Sequence, residues 1–148
     1  MDLDKRFEIA KTPDTIEINF SSTMKNVDRT CDELIKFCKS FFKNGIIKDR
    51  FFSLNLVIRE GLTNAVKHGN GLDPEKPVRC FMKIDSSGKI YVEIEDQGDG
   101  FDWHEFKENS FYDVLSDHGR GLVIMRLYCP DHEYNKKGNC LILKTSLL

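Results

Sequence analysis

The chain has 148 residues, with 22 Lys+Arg against 24 Asp+Glu for a formal net charge of −2, and 40% of its residues are hydrophobic. That length suits a single domain, taken as residues 1–148, and that composition excludes a disordered chain. The charge balance excludes the basic surface needed for sequence-independent nucleic-acid binding, and no apolar run approaches the roughly 18 residues of a membrane span.

The N-terminus, MDLDKRFEIAKT, lacks the apolar core of a signal peptide, and the five Cys contain no C-x-x-C pair. Reduced, mostly buried thiols and a cytoplasmic location are expected. Residues 14–20 (DTIEINF) alternate, with Ile16, Ile18 and Phe20 on one side, and predict a strand. Ser21, Ser22 and Thr23 offer helix caps. Met24, Val27, Cys31, Leu34, Ile35, Cys38, Phe41 and Phe42 then recur at three- and four-residue steps. They predict a long amphipathic helix ending near Asn44-Gly45, with Cys31 and Cys38 as core residues on its stripe. A second helix is predicted from about Asp49 to His68, with Leu54, Val57, Ile58, Gly61, Leu62 and Ala65 as its apolar stripe. Asn70-Gly71-Leu72-Asp73-Pro74 breaks it.

Alternation over 78–84 and 89–95 predicts two strands, joined as a hairpin by Asp85-Ser86-Ser87-Gly88. Residues 102–118, with Trp103, Phe106, Phe111 and Tyr112, read as a loop. A short helix is predicted from about Gly121 to Tyr128, stopped by Pro130. Residues 132–135 and 140–147 read as a last strand pair around Lys136-Lys137-Gly138-Asn139. This order predicts an α+β fold, a two-layer α/β sandwich with a mixed, mostly antiparallel sheet and helices on one face. Neither a Rossmann fingerprint nor a Walker A sequence is present.

Three groups of polar residues fit a plain core poorly. At about 100° per residue, with Glu60 set to zero, Asn64 falls near about 40°, Lys67 near about −20° and His68 near about 80°. Glu60, Asn64 and Lys67 thus form a polar line beside the buried stripe, suited either to a hydrogen-bonded helix shoulder or to holding a cation and orienting a hydroxyl. Period two puts Asp96 on the same face as Ile90, Val92 and Ile94, where a carboxylate needs donors from a turn or from a bound base. Gly98 and Gly100 follow and permit close approach to backbone. Last, His118-Gly119-Arg120-Gly121-Leu122 precedes a helix, where exposed N–H groups attract phosphate.

Together, Glu60-x-x-x-Asn64-Ala65-x-x-His68-Gly69, Asp96-x-Gly98-x-Gly100-Phe101 and Gly119-Arg120-Gly121-Leu122 resemble the GHKL (histidine-kinase-like ATPase) superfamily. Within it the chain looks most like the bacterial anti-sigma-factor serine/threonine kinases, over roughly residues 14–147. The resemblance implies ATP and Mg²⁺ as cofactors, with Glu60 as the catalytic base and Asn64 as the metal ligand. It implies that Asp96 binds the adenine amine, that Gly98 and Gly100 let the base pocket close, and that Gly119, Arg120, Gly121 and Leu122 wrap the phosphates. Lys67 is a further candidate for a phosphate. Glu at position 60, where sensor histidine kinases usually have Asn, favours hydroxyl activation. The implied function is an anti-sigma factor that phosphorylates an anti-anti-sigma antagonist protein and sequesters a sigma factor, as a homodimer, with no direct contact to nucleic acid or membrane. Two other readings stay open: a nucleotide-binding partner-switch adaptor without kinase activity, and a stand-alone histidine-kinase-type ATPase domain. The chain departs from the family at Asn139, often Thr there, and at Tyr128-Cys129-Pro130.

Overall fold

The computed structural model describes residues 5–43, 48–100, 128–129 and 131–146. The expected loop over 102–118 and the short helix from Gly121 lie outside these residues. The elements run β1 (Phe7–Lys11), β2 (Thr15–Ser21), α1 (Met24–Phe42), α2 (Lys48–Asn64), a π-helical turn (Ala65–Gly69), β3 (Pro77–Ile84), β4 (Lys89–Glu95), β5 (His132–Tyr134) and β6 (Cys140–Ser146). Among the described residues the six strands form one sheet in the order β1-β2-β3-β4-β6-β5. Every neighbouring pair is antiparallel, in keeping with the mostly antiparallel sheet expected.

Period two decides which side of the sheet is buried. Ile16, Ile18 and Phe20 of β2, Val78, Cys80, Met82 and Ile84 of β3, and Ile90, Val92 and Ile94 of β4 point one way and are buried. Cross-strand partners Ile18–Cys80–Ile94–Leu141 run straight across the sheet in one such row. The stripes of α1 (Val27, Cys31, Leu34, Cys38) and α2 (Leu54, Val57, Ile58, Leu62) close over this side. The result is the expected two-layer sandwich. No helix among the described residues is long and apolar enough to cross a membrane.

The chain ends of the elements follow local chemistry. Thr23 caps α1, its hydroxyl accepting from the Asn26 N–H at 3.2 Å. The carboxamide of fully buried Asn26 donates back to the Ser21 carbonyl at 3.1 Å, fastening the helix start to the end of β2. In the β3–β4 hairpin, Asp85 Oδ1 accepts from the Ser87 and Lys89 N–H groups at 2.8 and 3.0 Å, and Gly88 takes a positive φ of 82°. β1 was not predicted. It is a short edge strand whose exposed residues give a weak alternation signal.

All five cysteines are free and buried. Burial pushes the thiol pKa of Cys31 up to about 11 and that of Cys38 to about 12, and it raises those of Cys80, Cys129 and Cys140 as well. Thiolate is the reactive form, so these groups are doubly protected, by packing and by protonation. The native protein should therefore give almost no fast reaction with an aromatic disulfide reagent at mildly alkaline pH, and five thiols should appear on denaturation. Rapid labelling of Cys31 or Cys38 in the folded state would contradict the packing described.

Candidate functional site

A cavity of about 270 Å³ opens between the C-terminal end of α2 and the ends of β4, β5 and β6. Its described walls are close to the ~300 Å³ at the small end of small-molecule sites. Asn64, Ala65, His68 and Gly69 line one wall, and Ile94, Asp96 and Gly100 line the opposite one. Tyr134, Gly138 and Leu141 come from the last hairpin.

The helix wall is not a simple α-helix. After Asn64 the chain widens into a π-helical turn, closed by the Asn70 N–H donating to the Ala65 carbonyl at 2.8 Å. His68 and Lys67 are both exposed; His68 lines the cavity and Lys67 lies outside the lining. Glu60 is half-buried one turn before Asn64 and is likewise outside the lining residues.

Asn64 is 8% exposed, and its Nδ2 is buried with no hydrogen-bond partner among the described residues. A buried, unpaired amide is costly in a protein without a ligand, so this group is primed for a polar partner. The two ends of a carboxamide differ only by assignment from the surrounding network. Tyr134 lies beside it, its hydroxyl pKa pushed up first by burial and then by the Asp96 charge; the Asn64 amide faces that hydroxyl and opposes the shift without reaching hydrogen-bond geometry.

Asp96 leaves the sheet at the end of β4 and is held from both sides. Its own N–H donates to the Asn139 carbonyl at 2.9 Å, and Asn139 Nδ2 donates to its carbonyl at 3.0 Å. Asn139, read from sequence as a departure from the family, therefore has its amide group engaged with backbone. The Asp96 Oδ1 accepts from the Gly98 N–H at 2.8 Å, and no donor among the described residues reaches Oδ2. Burial is the main cause of a raised Asp96 pKa, with the Gly98 N–H opposing it.

Two glycines interlock around this carboxylate. A Cβ on Gly69 would sit on the Asp96 carboxyl group, and a Cβ on Gly98 would collide with the Gly69 carbonyl. Gly98 thus has no room for a side chain, because the Gly69 backbone occupies that space. Gly100 lines the cavity with a positive φ of 80°. Gly119, Arg120, Gly121 and Leu122 lie outside the described residues, as do Trp103, Phe106, Phe111 and Tyr112.

Two residues carry weight that the sequence reading missed. Tyr134 carried only the signal of an aromatic in a strand. Asn70 was read as a helix breaker, yet it is 2% exposed and uses its whole carboxamide. Its Oδ1 accepts from the Gln97 N–H at 2.7 Å, and its Nδ2 lies 2.9–3.1 Å from Ser22 Oγ and the Lys76 and Pro77 carbonyls. It joins the wall that carries Gly69 to the turn that carries Asp96.

A family model described as the histidine kinase-like ATPase domain matches residues 20–145, most of the chain. The fold and this cleft between helix and sheet thus define a GHKL-type ATPase domain, and the chain belongs to the histidine kinase-like ATPase family. No curated protein matches the chain. Domains of this family bind ATP, usually with Mg²⁺. The residues present fit both groups: the Asn64 carboxamide on the cavity wall, whose oxygen suits a cation, a carboxylate oxygen open on Asp96 for a base amine, and a cavity between them.

Two outcomes follow from the geometry. Replacing Asn70 by Ala strands the Gln97 N–H and the Ser22 and β3 acceptors together, and should cost about 2 kcal/mol or more in urea unfolding. For Asp96, a pKa raised above its unfolded value means the native state favours the protonated form. The stability this group contributes is complete at low pH and lost as pH rises through its folded pKa. Asp96→Asn keeps an acceptor for Gly98 and carries no charge, so it should raise the thermal midpoint of the ligand-free protein at pH 7. That gain should shrink as pH falls into the carboxylate range, and a lowered midpoint at pH 7 would refute the assignment.

Proposed function

We propose that this chain is an ATP- and Mg²⁺-dependent protein serine/threonine kinase acting as an anti-sigma factor. In this reading it sequesters a sigma factor and phosphorylates an anti-anti-sigma antagonist. The observation that carries the reading is the pair on α2: Glu60 one helical turn before Asn64, and Asn64 on the cavity wall opposite Asp96. A carboxylate at that position suits removal of a proton from a hydroxyl, and phosphoryl transfer needs mainly positioning and charge neutralisation.

In this mechanism Asp96 receives the amine of the adenine on its open oxygen and fixes the base. Asn64 is the protein's ligand for Mg²⁺, which supplies neutralisation of the phosphate charge when bound. Glu60 takes the proton of a Ser or Thr hydroxyl on the antagonist as that oxygen bonds to the γ-phosphorus, and ADP leaves with the electron pair of the broken P–O bond. Gly119, Arg120, Gly121 and Leu122 complete the phosphate side. The formal charge of −2 agrees with a regulator that holds proteins rather than DNA.

The test combines binding and transfer. Mg-ATP should raise the melting temperature of the wild-type chain, with the shift lost in Asn64→Ala. With labelled ATP, label should move to a Ser/Thr-bearing antagonist encoded beside the gene, and Glu60→Gln should slow transfer by about 10²-fold or more while leaving the melting shift in place. A melting shift without any transfer, and no difference between wild type and Glu60→Gln, would leave a nucleotide-binding adaptor instead.

A further inference from the structure

Strand β5 supplies one side chain to the cavity wall, and its register fixes which way that side chain points. Tyr134 pairs with Leu141, Leu141 with Ile94, and Ile94 with Cys80. Directly paired residues share a face of the sheet, so Tyr134 closes this inner row on the side of α1 and α2. It packs against the core there and lines the same cavity as Asn64 and Asp96. The nucleotide reading gives it no role.

The Asn64 carboxamide has two unlike ends. Nδ2 carries only donors, and Oδ1 only accepts. Hard divalent cations take oxygen ligands, so Asn64 suits a cation in one of its two orientations and repels it in the other. The helix does not choose between them, because Asn64 has helical backbone angles and makes no side-chain capping bond. No hydrogen bond among the described residues chooses either: Nδ2 is buried without a partner, and no donor reaches Oδ1. The choice falls to the polar groups around the carboxamide. The Asn64 amide opposes the rise in the Tyr134 hydroxyl pKa, as an N–H facing a phenolic oxygen does, and the Asp96 charge acts on the same hydroxyl. A carboxylate draws the hydroxyl proton towards itself, which leaves the oxygen lone pairs for Asn64. Lone pairs attract the N–H end and repel Oδ1.

We propose that Tyr134 is the positioning residue for Asn64: its hydroxyl oxygen keeps the Nδ2 end in the wall and so presents Oδ1 to the cavity as the ligand for Mg²⁺. The inference rests on the ATP and Mg²⁺ reading of the cleft and deepens it. Asp96 and Asn64 stand on opposite walls, and the Tyr134 hydroxyl is the polar group that both of them act on. The base end and the metal end of the cleft are thereby joined through one oxygen. An aromatic ring alone would fill the same space but would leave the carboxamide free to turn, since its two ends are nearly equal in size.

The test is calorimetric titration of the full chain with ATP, once in EDTA and once with Mg²⁺. Wild type should bind Mg-ATP more tightly than ATP alone. Tyr134→Phe keeps the ring and its packing and removes only the oxygen. It should bind ATP in EDTA within about twofold of wild type, but Mg-ATP about tenfold more weakly. Asn64→Asp offers oxygen at both ends and leaves nothing to orient. Metal should still strengthen ATP binding in that variant, and adding Tyr134→Phe should change the gain by less than about twofold. A wild type that binds ATP with no gain from metal, a full gain kept in Tyr134→Phe, or an equal loss with and without metal would each overturn the proposal and leave nucleotide binding standing. So would an Asn64→Asp chain that is blind to metal or that repeats the tenfold loss. A wild type that binds no nucleotide would overturn the ATP reading itself, and the proposal with it.

Discussion

The carboxamide of Asn70 is the constraint on which the rest of the site depends. Three segments meet there, the β2–α1 corner at Ser22, the chain entering β3 at Lys76 and Pro77, and the turn after β4 at Gln97, while the Asn70 backbone N–H separately closes the π-helical turn on the Ala65 carbonyl. A typical hydrogen bond contributes only about 1 kcal/mol net, but a buried group left without its partner costs about 1–3 kcal/mol. With Asn70 almost wholly buried, its bonds stand or fall as a set. They fix the separation of the two cavity walls, since Gly69 directly precedes Asn70 and Asp96 directly precedes Gln97.

That fixed separation explains the unfavourable chemistry left between the walls. Asp96 is kept partly dehydrated, with one oxygen bonded and one open, and Asn64 keeps an unpaired amide. Neither group would persist if the walls relaxed towards each other. The interlocked Gly69 and Gly98 allow the walls to approach until backbone touches backbone and no further. The ligand-free domain is therefore less stable than its packing alone allows, and a ligand that satisfies both groups recovers the difference.

Much of this was legible in the sequence, and the exceptions have physical causes. The buried faces of β2, β3 and β4 follow from strict alternation, and α1 from its stripe, because burial of one face alone determines them. Asp96 was legible for the same reason, as the next residue in the buried register of β4. The π-helical turn was not, because a widened turn reflects bonds that Asn70 makes to distant strands and not any local preference of Ala65–Gly69. Asn70 itself reads locally as a breaker, and only the fold reveals what its carboxamide reaches.

Strand β4 serves both faces of the sheet. Its even positions, Ile90, Val92, Ile94 and then Asp96, face the core and the cavity, while Lys89, Tyr91, Glu93 and Glu95 form the charged outer side. Because side chains alternate with period two, a one-residue slip would bury Glu93 and expose Asp96, losing the cavity wall and the polar outer side together. Two devices resist that slip at opposite ends of the strand. At the start, Asp85 grips the Ser87 and Lys89 N–H groups and sets the hairpin; at the end, Asn139 pins the Asp96 backbone from two directions. The short turn and the paired asparagine contact serve the inner and outer faces equally, so substitutions that loosen either end must disturb the cavity and the outer face at once, whatever face the altered residue occupies.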